Sequence, residues 1–261
     1  MFTLDDDINT QKVLQSAAEA RLPLLMELLN KVTQRIVQSG PFVGMKLTTL
    51  LAQSAFSKDS YYRWNATQLL GCYEQELHAS LEKALQRNPD VVVNIGCGGG
   101  YYAVGMARRL PQAHIYAFDI SEEARELCAL AAAQNGVADR IHIGSECSQK
   151  MLLELAGSGT KVLFISDCEG HEHELFNTNT APVLAHCDLI IECHDFKKTN
   201  ITHDLLQLFL GDHEVKIIQE GGRNPSETGM LNSLSSMDRW LLVCEFRPVV
   251  MSWLVCWSRP G

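Results

Sequence analysis

From Val91 onward, seven short runs of β-branched or apolar residues alternate with stretches of helical character: Val91–Ile95, His114–Phe118, Arg140–Ile143, Lys161–Ile165, Asp188–Ile191, Glu214–Ile218 and Trp240–Glu245. Runs of four to six residues that are apolar throughout suit strands covered on both faces, and the intervening helices supply that cover. The alternation predicts an α/β fold, Rossmann-like and doubly wound, with a mostly parallel seven-stranded sheet. The later runs are joined through Gly221-Gly222 and a loop without a long helical period, which admits an antiparallel strand at the end. A further apolar stretch, Val249–Trp257, is about half the length a membrane-spanning helix requires and is interrupted by Ser252. It reads as a buried strand.

Ahead of Pro89 the pattern is helical. Leu14, Ala18, Leu22, Leu25, Leu29, Val32 and Ile36 recur at steps of four or three, which places them on one helical face between Thr10 and Gln38, with Pro23 as a candidate break. A second helical region is expected from Lys46 to Phe56, and a third follows Tyr73, Leu77, Leu81 and Leu85 to its end near Asn88-Pro89. The chain therefore divides into an almost wholly helical extension over residues 1–88 and an α/β domain over 89–261.

Charge and cysteine usage narrow the setting. With 22 Lys and Arg against 31 Asp and Glu, the net charge of -9 weighs against nucleic acid or an anionic membrane as a partner. Nine scattered cysteines with no CxxC pair suggest neither a disulfide framework nor a structural zinc site, and read as reduced thiols. The opening Met1-Phe2-Thr3-Leu4-Asp5-Asp6-Asp7 has neither the basic nor the apolar region of a secretory signal. The expected location is the cytoplasm, and self-association is left open.

The first strand runs straight into Gly96-Cys97-Gly98-Gly99-Gly100 and then into a helix from Tyr101 to Leu110. Glycine lets a ligand approach the backbone where no Cβ intervenes. The dinucleotide fingerprint GxGxxG would place glycine or alanine at position 101, where Tyr101 stands, so the spacing disfavours close packing of a pyrophosphate. The pattern present is GxGxG, at Gly96, Gly98 and Gly100. Asp119 closes the second strand 23 residues beyond Gly96, where a carboxylate can accept hydrogen bonds from both hydroxyls of an adenosine ribose. Loop and acid together specify a nucleoside without specifying phosphates.

Asn94-Ile-Gly-Cys-Gly-Gly-Gly-Tyr101 and Ala117-Phe-Asp119 resemble the first two motifs of class I S-adenosylmethionine-dependent methyltransferases. Gly71-Cys-Tyr-Glu-Gln-Glu-Leu77, Asp167-Cys-Glu-Gly-His-Glu172 and Glu192-Cys-His-Asp-Phe196 are similar to the FkbM-type branch, whose members are typically O-methyltransferases of small molecules or sugars. The resemblance spans roughly residues 70–200. It implies S-adenosyl-L-methionine as cofactor, a small-molecule acceptor, and the helical extension as a lid on the acceptor side. It also places Gly144-Ser145-Glu146-Cys147 beside the adenine, with Ser145 or Glu146 accepting from the exocyclic amine, or else forming an ordinary solvated turn. The family usually has an acidic residue where this chain has Asn94. An amide still accepts from the cofactor's amino group, without the charge that would pair with its ammonium.

Ligands of open α/β sheets sit beyond the carboxyl ends of the strands, where Asp167, Glu169, His171, Glu192, His194 and Asp195 should converge. Methyl transfer is an in-line displacement, so the protein has to position the acceptor and remove its proton, through a histidine or carboxylate base or through a bound divalent cation. Glu192 and His194 alternate with Cys193 and should face one side. With no metal-ligand spacing such as HExxH, the expectation is metal-free chemistry with His194 as base beside Asp167 and Glu192. Asp167 could instead cap a helix, His171 and His173 could form a solvated first turn, and Arg239-Trp240, Arg247 and Trp253 could either line an acceptor pocket or stitch the C-terminus to the sheet. Tyr61-Tyr62-Arg63-Trp64 presents the same choice between lid and core. Two other functions compete with the methyltransferase: a catalytically silent scaffold of the same fold, motivated by Asn94, and a nucleotide-dependent oxidoreductase, opposed by Tyr101.

Overall fold

The computed structural model describes residues 8–48 and 65–259. Seven strands form one sheet in the order β3-β2-β1-β4-β5-β7-β6: β1 (Val91–Ile95), β2 (His114–Phe118), β3 (Ile141–Gly144), β4 (Val162–Ser166), β5 (Asp188–Cys193), β6 (His213–Gln219) and β7 (Ser252–Ser258). Strands β1 to β5 pair in parallel, and β7 runs antiparallel between β5 and β6. Helices bounded among the described residues include α1 (Ile8–Thr33), α2 (His78–Arg87), α3 (Tyr101–Arg109), α4 (Glu122–Gln134), α5 (Gln149–Ala156), α6 (Glu172–Leu175), α7 (Ala181–Leu184), α8 (Ile201–Phe209) and α9 (Ser236–Val243).

The central strands are buried on both faces because alternate side chains enter separate cores. Val92, Leu163, Ile165, Ile190, Trp253 and Val255 pack with α1, α2, α3 and α9 on one face. Val93, Phe164, Leu189, Ile191 and Leu254 pack with α5 and α8 on the other. Continuous apolar runs are what this two-sided burial requires.

Three expectations are corrected. Trp240–Glu245 is no strand: residues up to Val243 belong to α9, whose Ser235 side chain accepts the Asp238 N–H at 3.2 Å while Trp240 stays exposed. A cap of this kind starts a helix, and the last strand comes instead from the Val249–Trp257 run. Pro23 does not divide α1, which continues through it. Residues 34–48 are not helical; an isolated antiparallel bridge between Ile36 and Lys46 and turns at Gly40 and Gly44 shape them. The remainder of the expected Lys46–Phe56 helix, and Tyr61–Trp64, lie outside the described residues.

The extension packs onto the sheet domain through specific ties. Arg21 grips Asp238 with Nε and Nη2 at 2.8 and 2.7 Å, joining α1 to α9. Among the described residues no helix is long and apolar enough to cross a membrane.

Candidate functional site

Chain order reverses between β1 and β4, and a crevice opens there beyond the strand ends. Ile95 pairs with Ser166, so the next residues, Gly96 and Asp167, face each other at the floor of that crevice. A Cβ on Gly96 would fall 1.7 Å from the Asp167 carbonyl oxygen, and the Gly96 φ is +74°. Only glycine fits this approach.

The loop is then fastened by its backbone. The N–H groups of Gly96 and Cys97 both donate to the Phe118 carbonyl, at 2.8 and 2.9 Å, and Gly98 N–H donates to Asp119 Oδ2 at 2.8 Å. Asp119 Oδ1 accepts from Ser121 N–H at 2.9 Å. Gly100 opens α3 with φ +87°, where a Cβ would meet Cys128 Sγ at 3.0 Å. Gly98 and Gly99 have nothing within 4 Å of an added Cβ, which leaves the outer face of the loop free for a ligand.

A cavity runs along that face, walled by Gly96–Tyr102, Tyr73, Ile165, Asp167 and Glu169, with Met45–Thr48, Asn65 and Gln68 from the helical extension. Asn94 is 1 % exposed and reaches the same cavity. Its Nδ2 donates to Ile165 O at 3.4 Å, while its Oδ1 has no partner among the described residues. A buried amide oxygen without a donor is costly; an amino group in the cavity would satisfy it. The loop and Asn94 therefore suit a ligand that carries an amino group, while Asp119 lies outside the cavity lining and fastens the loop through Gly98 N–H. Ser145 and Glu146 are exposed beyond β3 and line neither this cavity nor the next. Ile120, which the sequence reading passed over, stands 84 % exposed beside Asp119, an apolar plate at the same edge.

A second cavity adjoins the first and shares Tyr73, Asp167 and Glu169 with it. Glu192, His194 and Arg247 complete its polar wall, beside the ring of Phe196. Asp167, Glu192 and His194 do converge: one coordinating atom from each lies within 4.8 Å of the others. His194 is 3 % exposed and its Nδ1 donates to Glu172 Oε1 at 2.5 Å. Its Nε2 faces Asp167 Oδ1 at 3.4 Å and Glu169 Oε2 at 3.8 Å. Burial alone would depress the imidazole pKa, but the carboxylates of Asp167 and Glu172 outweigh it and push it up to about 10. The ring is thus an imidazolium at neutral pH and has no lone pair with which to take a proton.

Behind this wall lies a charge network. Arg247 donates through Nη1 to Glu192, through Nη2 to Glu74 at 2.8 Å and through Nε to Glu245 at 3.0 Å. Arg223 pairs with Glu76 at 2.9 Å and with Glu245 at 2.6 Å. Tyr102 donates its hydroxyl to Glu74. Burial, only partly countered by Arg247, raises Glu74 to about 7, and burial with the neighbouring Asp167 and Glu74 holds Glu192 well above the carboxylate range. The Arg247 fork is occupied by protein carboxylates, so it both lines the cavity and stitches the C-terminal segment to residues 74 and 192. His173 faces Asp204 at 3.3 Å, and Asp195 caps α8 through Thr202 N–H at 3.1 Å, so neither joins the cluster.

Sequence reasoning missed Glu172, Glu74 and Glu245. Glu172 and Glu74 sit inside the segments Asp167–Glu172 and Gly71–Leu77, but only the fold shows that Glu172 is fully buried on the far nitrogen of His194.

A family model described as methyltransferase domain matches residues 92–181. No curated protein matches the sequence. Cofactor-bound Rv0187 from MTB superposes with a TM-score of 0.51 and 14% identity, over 82% of this chain and 94% of that one. The O-methyltransferase TomG from Streptomyces achromogenes, solved with SAM, gives 0.49 and 14%, over 78% and 92%. Precorrin-6y C5,15-methyltransferase from Geobacter metallireducens gives 0.47 and 10%, over 70% and 89%. The chain has the Rossmann-like fold of methyltransferases, and the family model resembles its residues 92–181.

Proposed function

We propose that this chain transfers a methyl group from S-adenosyl-L-methionine to an oxygen of a small-molecule acceptor, in the manner of the FkbM-type branch that its Asp167–Glu172 and Glu192–Phe196 segments resemble. The observation that carries this reading is the position of Asp167, which lines both the cavity along the glycine loop and the cavity holding Glu192 and His194. A donor in the first and an acceptor in the second would meet at that residue.

When bound, the cofactor supplies an electrophilic sulfonium methyl group. Gly96, Gly98 and Gly100 shape its bed, Asn94 Oδ1 accepts from its amino group, and each Asp119 oxygen keeps a second lone pair for a ribose hydroxyl. Ser145 and Glu146, which line neither cavity, would meet the adenine only where it projects beyond the loop. On the acceptor side, Glu192 and His194 orient the hydroxyl. In the ion-free site His194 is already protonated, so Asp167, the more exposed of the two carboxylates, takes the proton. Residues 1–88 act as the lid, contributing Met45–Thr48 to the wall.

Calorimetry with S-adenosylmethionine, S-adenosylhomocysteine and NAD tests the first half: binding of the sulfur pair is expected, and tight NAD binding with no response to that pair would overturn the reading. A screen of hydroxylated metabolites for S-adenosylhomocysteine release tests the second. Binding without turnover of any acceptor would favour a silent scaffold, for which the uncharged Asn94 is the supporting observation. Asp119→Ala is expected to weaken S-adenosylhomocysteine at least about tenfold, since hydrogen bonds to a charged acceptor are worth about 1.5 to 3 kcal/mol each. An unchanged dissociation constant in that variant would place the ribose elsewhere.

A further inference from the structure

We infer that Asp167, Glu192 and His194 bind a single divalent transition-metal ion where the two cavities meet. The three residues follow or close β4 and β5, adjacent parallel strands paired through Ser166 and Ile191, so their spacing is fixed by sheet register rather than by a flexible loop. One atom of each lies within 4.8 Å of the other two.

The contact between His194 Nε2 and Asp167 Oδ1 is the more telling. At 3.4 Å these atoms are close, yet Asp167 Oδ1 is buried and forms no hydrogen bond among the described residues. Two ligands bound at about 2.1 Å to one ion, at tetrahedral or right angles, stand roughly 3.0 to 3.4 Å apart. These two atoms, close but not hydrogen-bonded to each other, are therefore spaced as two ligands of a shared ion would be.

Two neighbours support the same reading. Glu172, fully buried, holds His194 Nδ1 at 2.5 Å, the arrangement in which a carboxylate fixes an imidazole so that its other nitrogen meets a metal. Glu192 is 4 % exposed and lines the second cavity, with one of its oxygens bound to Arg247. Magnesium and calcium favour oxygen-only shells, whereas one imidazole with two carboxylates suits zinc, manganese or iron. Binding does not depend on methyl transfer. Its use does rest on that reading: an ion here would bind the acceptor oxygen and make its hydroxyl more acidic.

The test uses the full chain, stripped with EDTA and titrated with zinc against a chromophoric chelator, with S-adenosylhomocysteine calorimetry on the same samples. One equivalent of zinc is expected for the wild type. Asp167→Asn and His194→Ala should each weaken it at least about tenfold and Glu172→Gln by about 10- to 100-fold, while His173→Ala, at the separate pair with Asp204, should leave it unchanged. Should Glu192→Gln fail to fold for want of its contact with Arg247, the Asp167 and His194 variants decide. No uptake by the folded wild type, uptake unaffected in both Asp167→Asn and His194→Ala, or an equal loss in His173→Ala would each overturn the site. Loss of S-adenosylhomocysteine binding with zinc retained would instead count against the proposed function alone.

Discussion

Gly96→Ala is expected to be the most damaging single substitution in the glycine loop, lowering stability by about 4 kcal/mol or more and abolishing recovery of a cofactor-competent protein. The added Cβ lies 1.7 Å from the Asp167 carbonyl oxygen and 2.8 Å from its carbon, both backbone atoms, at a φ of +74°. The neighbouring strands cannot move apart to relieve this without losing the bond from Asp167 N–H to Ile95 O at 2.9 Å. Against a typical total of about 5 to 15 kcal/mol, such a loss leaves little or no folded protein. Gly98→Ala is the companion. Its φ is +48° and an added Cβ meets nothing within 4 Å, so the fold should lose only about 1 to 2 kcal/mol, whereas S-adenosylhomocysteine affinity should fall because the methyl group projects into the open face of the loop. Urea unfolding and calorimetry separate the two. A Gly96→Ala protein within about 1 kcal/mol of wild type would contradict the close β1–β4 approach, and undiminished binding by Gly98→Ala would remove the ligand from the loop.

The sheet was legible in the sequence wherever a strand is buried on both faces. Val91–Ile95 and His114–Phe118 match β1 and β2 residue for residue, because each is a short β-branched or aromatic run that begins just after a proline, Pro89 or Pro111, too short for a buried helix. Legibility failed where a short apolar run carried a capping signal that the pattern alone does not weigh, as at Ser235 ahead of Trp240–Val243. It failed again over residues 34–48, where leucine and valine spacing continues but long-range bonds, such as Gln38 N–H to Leu69 O at 2.8 Å, set the path. In the site, Gly96 and Asp167 could be named separately, but their contact depends on which strands are neighbours. The same holds for Arg247, 55 positions from Glu192 in sequence and bound to it in space. Charge networks of this kind join residues with no local periodicity, so nothing in the linear pattern announces them.

That network gives the largest expected pH effect. Burial raises the pKa of Glu74, Glu192 and Glu245 in the folded protein, Glu74 to about 7 from an ordinary 4.5. A carboxyl raised on folding binds more protons in the native state than in the unfolded one, so its contribution to stability falls as pH rises from about 4.5 through its folded pKa. His194 acts in the same direction higher up: its stabilising contribution is complete below about 6.5 and is lost as pH rises through about 10. The lowered carboxylates Glu82, Glu174 and Asp238 pull the other way, but Glu82 and Glu174 are paired at the surface and the buried Asp238 is paired with a half-exposed Arg21, and exposed pairs contribute little. Stability in EDTA-containing buffer is therefore expected to peak near pH 5 and to decline toward pH 8, with Glu74 alone accounting for about 3 kcal/mol of the fall. Arg247→Gln should deepen that decline, because Glu74 and Glu192 rely on that guanidinium and Glu245 shares it with Arg223. Removing one partner of a buried ion pair costs about 3 to 5 kcal/mol. That cost should be larger at pH 8, where Glu74 would be stranded as a carboxylate, than at pH 5, below its folded pKa of about 7. Urea midpoints of both proteins at pH 5, 6.5 and 8 provide the measurement. A wild type that gains stability from pH 5 to pH 8, or an Arg247→Gln loss of equal size at both ends, would show that these carboxyls are ionised in the native protein and that the network is held by more than Arg247 and Arg223.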